Sequence, residues 1–140
     1  MFEARKVDLV LQGHDHCYSR LTSEAGKTAS ARARADGGIQ GPVYLVSVTG
    51  SKMYGLNDRA GTQPDRVAED TQLYQVIDVQ ADRLLLRTRT ATGRLYDGFD
   101  LIRQAGGGNR LVETGGLIDV RRCDGATGPD AIACTARTKD

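Results

Sequence analysis

The sequence predicts a mostly β domain of the α/β or α+β class, with an antiparallel meander in its C-terminal part. Three runs rich in β-branched and aromatic residues, joined by two short turns, predict that meander over residues 73–80, 83–91 and 95–103. An earlier run at residues 7–12 is mostly apolar, which is typical of a strand buried on both faces inside an α/β sheet. A further strand, also dense in β-branched residues, is predicted at residues 43–50.

Length and composition exclude several classes of partner. The chain has 140 residues, of which 39% are hydrophobic and 26% charged, and its formal net charge is +1. These values are ordinary for one soluble domain. No block of like charges indicates binding to nucleic acid or to an anionic membrane. No apolar run approaches the roughly 20 residues that span a bilayer, so we expect neither nucleic acid nor a membrane as a partner.

Two segments without clear periodicity separate the predicted strands. Residues 21–40 and 51–70 are rich in small and polar residues and predict long exposed loops. Loops of this length favour a function at that edge of the domain, or partner structure that covers it. Three basic residues of the first loop, Lys27, Arg32 and Arg34, are interpreted as solvated surface, with contact to an anionic ligand as the alternative.

The C-terminal residues are predicted to be loosely ordered. A Gly-rich run at residues 104–109 is typical of a flexible linker, so we expect residues 1–103 to form the domain and residues 104–140 to form a linker and tail. Cys123 and Cys134 flank a turn-rich stretch of that tail. They are candidates for a small disulfide loop in an oxidising compartment, with two unrelated thiols as the alternative.

The two histidines of the chain follow the first predicted strand directly. His14 and His16 come after Gly13 and are separated by Asp15. Residues i and i+2 of an extended segment project to the same side, so both imidazoles can address one polar site. Imidazole ligands suit zinc, iron or manganese. The alternative is that both are ordinary surface or hydrogen-bonded side chains.

Two stretches around these histidines resemble a known family. They are VDLVLQGHDHCYSR at residues 7–20 and GPVYLVSVTG at residues 41–50, and they are similar to the final metal-ligand segment of the calcineurin-like metallophosphoesterases, in particular the purple-acid-phosphatase-like branch. In that family a buried strand delivers a Gly-His-x-His motif followed by Tyr-x-Arg, which Tyr18 and Arg20 match here. TGRLYDGF at residues 92–99 is similar to the family's closing Asp-Gly-Lys-x-x-Asp-x-Phe pattern.

The resemblance implies a fold, a reaction and roles for four residues. The chain would supply strands from the second half of the family's two-sheet sandwich. His14 and His16 would each ligate one ion of a dinuclear centre of iron, zinc or manganese, and the implied reaction is hydrolysis of phosphate monoesters or diesters. Tyr18 is a candidate for lining the substrate cleft, with packing of its ring as the alternative. Arg20 is a candidate for binding phosphate, with a structural ion pair as the alternative.

The family's other metal ligands have no match in this chain. They are an Asp-x-His, a Gly-Asp, a Gly-Asn-His and a further histidine, all of which precede the Gly-His-x-His motif. Two neutral imidazoles are expected to hold at most one weakly bound ion, because the missing carboxylates supply the bridging ligand and most of the charge compensation. We therefore expect the C-terminal portion of a metallophosphoesterase that is inactive as an isolated chain.

Three further expectations accompany this interpretation. An isolated C-terminal portion would leave strand edges unpaired, which favours self-association. The cysteines and the exported habit of many similar phosphatases favour a periplasmic or secreted location. The alternative function is a non-catalytic, β-rich binding or structural module that keeps one weak metal-binding corner.

Overall fold

The protein is mostly β in the part of the chain that the structure describes. Apart from one 3-10 turn, Glu3–Arg5, the regular elements in this part are strands, which form a four-stranded and a five-stranded sheet. No helix among these residues has the length and apolar character needed to cross a membrane. The structure, a computed structural model, describes residues 2–22, 38–39, 41–51, 64–116 and 118–119.

Nine strands follow one another along the described residues. The prediction of a mostly β chain is confirmed, and helical structure of the α/β class is limited in this part to the 3-10 turn. In chain order the strands are β1 (Leu9–Gln12), β2 (Tyr18–Thr22), β3 (Gly38–Ile39), β4 (Val43–Val46), β5 (Arg66–Ala68), β6 (Leu73–Val79), β7 (Arg83–Thr90), β8 (Leu95–Arg103) and β9 (Asn109–Glu113).

Some of the expectations from the sequence fall on segments outside the described residues. They include the disulfide between Cys123 and Cys134 and the basic side chains of Lys27, Arg32 and Arg34. The two predicted loops are described only in part, and strands β3 and β5 lie inside them.

The four-stranded sheet has the strand order β1-β4-β2-β5. β1 runs parallel to β4, whereas β2 is antiparallel to both of its neighbours. A strand within residues 7–12 is thus confirmed, but the prediction that it is buried on both faces is wrong for the described residues. β1 is an edge strand with β4 as its neighbour, and Leu11 is 58% exposed.

The five-stranded sheet is antiparallel throughout, in the order β3-β9-β8-β7-β6. Its strands β6, β7 and β8 are the predicted meander. In β7 the alternating residues Leu86, Thr88 and Thr90 are buried, so one face of this strand lies in the core. A register shift opposite Thr88 inserts one extra residue into β8. Because of this bulge, the neighbours Tyr96 and Asp97 are both fully buried, which regular alternation forbids.

The sheet continues beyond residue 103, where the sequence predicted a linker. The backbone N–H of Gly107 donates to the carbonyl of Gln104 at 3.0 Å, and this turn leads into β9, which pairs with β8. Gly107 and Gly108 have φ values of 86° and 74°, a region that favours glycine. The expectation of a loose chain from residue 104 is therefore wrong up to the end of β9, because these glycines form a hairpin turn.

The hydrophobic core lies between the two sheets. Both sheets contribute to one contiguous cluster, so burial of apolar surface is what holds them together. Full burial of a large apolar side chain contributes roughly 1.5–3 kcal/mol. The buried members of the cluster are Tyr18, Ile39, Val43, Leu45, Ala68, Leu73, Leu86, Tyr96, Phe99 and Leu101.

Gly116 lies where the chain after β9 passes close to β8. A Cβ atom at this position would overlap the carbonyl group of Leu95. We expect Gly116→Ala to lower the free energy of unfolding by about 1–3 kcal/mol, because the backbone has to move to accept the methyl group. Urea denaturation measures the change. Gly106→Ala is the matched control, since nothing lies within 4 Å of a Cβ there. Equal stability of the two variants would contradict the close approach of Gly116 to the Leu95 carbonyl.

Candidate metal-binding corner

The two histidines lie in a short link that crosses the end of β4. β1 ends at Gln12 and β2 begins at Tyr18. Gln12 and Ser19 both align with Val46, on opposite sides of β4. Since neighbouring strands are about 4.8 Å apart, the link spans roughly 10 Å. We call residues 13–17 the histidine corner.

The histidine corner lies at the carboxyl ends of the parallel pair of strands. β1 and β4 run in the same direction, so their carboxyl ends meet at one edge of the sheet. The N–H of Ser47 donates to the carbonyl of Gln12 at 3.4 Å and ties these two ends together. In open α/β sheets, ligands bind outside the carboxyl ends of the strands. The corner lies at the corresponding edge of the parallel pair β1-β4.

The backbone of the corner is bent rather than extended. His14 has a φ of 83°, which is uncommon for a residue other than glycine. Residues 14–17 form bends, so the same-side projection expected of an extended His-x-His segment does not apply. His14 is exposed and His16 is half-buried. Backbone conformations of this kind cost of order 1–3 kcal/mol and cluster at functional sites.

The corner alone does not fit a dinuclear metal centre. Among the described residues, no group of three or more His, Cys, Asp or Glu side chains is placed to hold a metal ion. A structural zinc site takes four protein ligands, and a catalytic site takes three with water. His14 and His16 alone supply too few ligands for either kind of site, so we derive no catalytic step through a metal from this chain.

Tyr18 and Arg20, the candidate substrate ligands, extend from β2 into the interior. Tyr18 is fully buried and Arg20 is 3% exposed. The Arg20 guanidinium donates to Asp97 through Nε at 2.8 Å and to Glu113 through Nη1 and Nη2 at 2.9 Å each. A role in binding substrate stays a prediction. In this structure both side chains take the alternative roles, a packed ring and a structural ion pair.

Asp97 is the acceptor at the centre of this buried network. Its Oδ2 accepts hydrogen bonds from the Tyr18 hydroxyl at 2.7 Å and from Arg20 Nε at 2.8 Å. Its Oδ1 accepts from the Gly98 N–H at 2.8 Å and from Arg20 Nη2 at 3.3 Å. A buried carboxylate without partners is strongly destabilising. Four donated hydrogen bonds offset that cost here.

Sequence reasoning missed Asp97 as the partner of Arg20. The two residues are 77 positions apart in the chain. An aspartate in a strand is expected to face solvent, but Asp97 alternates with the buried Phe99 and Leu101 and therefore lies on the inner face of β8. Its place in the closing family-like pattern at residues 92–99 was the available signal.

Electrostatics fix the charge of the buried groups. Burial raises the pKa of the Tyr18 hydroxyl above its ordinary value of 10, and the negative charge of Asp97 raises it further. Burial alone lowers the pKa of the Arg20 guanidinium, but the carboxylates of Asp97 and Glu113 outweigh it and raise that pKa above its ordinary value. The phenol is therefore neutral and the guanidinium charged throughout the physiological range.

Comparison with known proteins adds no relative to this description. No protein-family model, no curated protein and no solved structure matches the chain. The likeness to metallophosphoesterases therefore depends on the sequence motifs. What stands independently of it is a mostly β protein with two sheets, one of which is antiparallel throughout.

The pH dependence of the stability of a Tyr18→Phe variant tests the buried network. Tyr18→Phe removes the hydrogen bond to Asp97, so we expect the free energy of unfolding to fall by about 1–2 kcal/mol at neutral pH. Because the pKa of Tyr18 is raised in the folded state, its contribution is present below pH 10 and is lost as the pH rises above 10. The gap between wild type and variant should then shrink by up to about 1.4 kcal/mol per pH unit.

Urea denaturation at neutral pH and above pH 10 measures this gap. Tyr44→Phe is the control, because the half-buried Tyr44 ring packs edge-on against Phe2, with 6.3 Å between ring centroids. We expect that variant to stay within about 0.5 kcal/mol of wild type at neutral pH. A gap for Tyr18→Phe that is independent of pH would contradict the raised pKa of the buried Tyr18 hydroxyl.

Proposed function

We propose that this chain is the C-terminal portion of a dinuclear metal-dependent phosphoesterase, to which it contributes His14 and His16 as ligands. The observation that carries the proposal is the position of the histidine corner at the carboxyl ends of the parallel strands β1 and β4. The motif resemblance adds the reaction class, hydrolysis of phosphate monoesters or diesters. The family's two-sheet sandwich is the finer fold that we propose for the complete protein.

The exposure of β1 supports a contribution to a larger site. Strands in parallel pairs are usually covered on both faces. Here β1 lies at the sheet edge and exposes Leu11, although the run at residues 7–12 is mostly apolar. In our proposal, segments that precede β1 in the complete protein cover it and supply the carboxylate ligands. β1 then becomes an interior strand of the complete sheet.

The chemistry follows from the kind of centre proposed. Two metal ions clamp a phosphate ester and lower the pKa of a bound water. The described residues of this chain contribute less than that: they hold two imidazoles at the edge of the sheet. We accordingly propose that the isolated chain binds at most one ion weakly and is inactive, and that the complete enzyme is periplasmic or secreted.

A non-catalytic β-rich module is the second candidate. The specific observation in its favour is that Asp97 and Glu113 already accept the hydrogen bonds that Tyr18 and Arg20 donate. In such a module the histidine corner would bind a metal ion without turning over a substrate.

Zinc titration tests the role of the corner. We expect His14→Ala and His16→Ala each to weaken Zn²⁺ binding by about tenfold or more, because each removes one of the few nitrogen ligands available. Isothermal titration calorimetry of the full chain measures the affinity. Asp15→Ala is the matched control, since it changes the exposed residue between the two histidines. If the His14→Ala/His16→Ala double variant still binds Zn²⁺ with micromolar affinity, the histidine corner is not part of any metal site.

A further inference from the structure

A residue on the opposite sheet is placed to set the position of the histidine corner. We propose that Asp97 of β8 is a positioning residue for the corner and acts through Tyr18 and Arg20. The inference depends on the function proposed above, because it assigns a structural support to histidines that we take to be metal ligands.

The contacts of β2 lead from the corner to Asp97. Tyr18 is the first residue of β2 and follows His16 by two positions. Its hydroxyl donates to Asp97 at 2.7 Å and lies 3.3 Å from the Thr88 hydroxyl. Arg20, the next inward residue of β2, also donates to Asp97. The first two inward side chains after the corner, Tyr18 and Arg20, therefore both donate hydrogen bonds to the carboxylate of Asp97 in the five-stranded sheet.

At the other end of the corner, the contacts with the five-stranded sheet lie further away along the chain. Gln12 ends β1, is exposed, and pairs with β4 within its own sheet. Leu9 packs against the core three residues earlier, and Asp8 accepts a hydrogen bond from Asn109 of β9 at 2.6 Å. The anchor nearest to the corner is consequently on the β2 side, where Asp97 holds Tyr18 and Arg20.

Stability alone does not require charges at this place. The side chains of Arg20 and Asp97 are only 4% and 1% exposed. Replacing a buried ion pair by apolar residues of similar volume is often neutral or stabilising. An apolar pair makes no directional contacts. The hydrogen bonds to Asp97 are directional, and they fix how far the start of β2 lies from the five-stranded sheet and how it is rotated about its axis.

Replacing the Arg20–Asp97 ion pair by apolar residues separates its effect on the position of the corner from its effect on stability. Arg20→Met/Asp97→Leu keeps the volume of the pair and removes its directional bonds. We expect this double variant to stay folded but to bind Zn²⁺ about 10–100-fold more weakly, the range seen when the supports of metal ligands are changed. Amide hydrogen exchange at residues 14–17 should become faster. Arg87→Met/Asp100→Leu is the matched control, because this ion pair at 2.8 Å joins β7 to β8 within the five-stranded sheet, and it should bind Zn²⁺ as wild type does.

A second variant covers the case in which the double variant does not fold. Arg20→Lys keeps a positive charge beside Asp97 but loses the planar fork, so it should weaken Zn²⁺ binding in the same direction. Wild-type affinity and wild-type exchange in a folded double variant, or in Arg20→Lys, would overturn the inference.

The same measurements distinguish this inference from the proposed function. If Zn²⁺ affinity of the native chain does not depend on His14 or His16, the proposed function fails. Amide exchange at residues 14–17 then decides the positioning role alone: faster exchange in the folded double variant supports it, and unchanged exchange overturns it.

Discussion

The buried ion pair between Arg20 and Asp97 is the constraint on which the arrangement of the two sheets depends. Taking each charge out of water costs several kcal/mol, so the pair is stable only if its remaining hydrogen-bonding groups are satisfied. Tyr18 and the Gly98 N–H complete the shell of the carboxylate, and Glu113 completes that of the guanidinium. A two-sheet arrangement that separated β2 from β8 and β9 would leave these groups without partners.

The bulge in β8 makes a second connection next to this pair. It places Tyr96 in the interior beside Asp97, and Tyr96 then donates its hydroxyl hydrogen bond to the Val67 carbonyl of β5. Arg66, also in β5, donates to the Tyr96 carbonyl at 2.7 Å and lies 4.7 Å from the centre of the Tyr96 ring. Two arginines of one sheet are thus held by two adjacent residues of the other.

The sequence was sufficient for the elements whose side chains alternate regularly. Thr88 and its inward neighbours in β7 could be predicted because a strand repeats every two residues. β9 was missed because the glycines before it, including Gly107, read as a linker until their turn geometry is seen. Asp97 was missed because burial of a carboxylate depends on partners far away in the chain. His14 was found from its motif, but its bent backbone follows from how β1 and β2 flank β4.

The most direct measurement of the central claim is hydrolysis of an aryl phosphate by metal-loaded protein. The 140-residue chain should be compared with a longer protein translated from DNA that also contains the in-frame sequence upstream of the Met1 codon. If this chain contributes two histidines to a centre completed by upstream segments, the longer protein hydrolyses the ester and the 140-residue chain does not. Comparable rates for the two proteins would contradict the account.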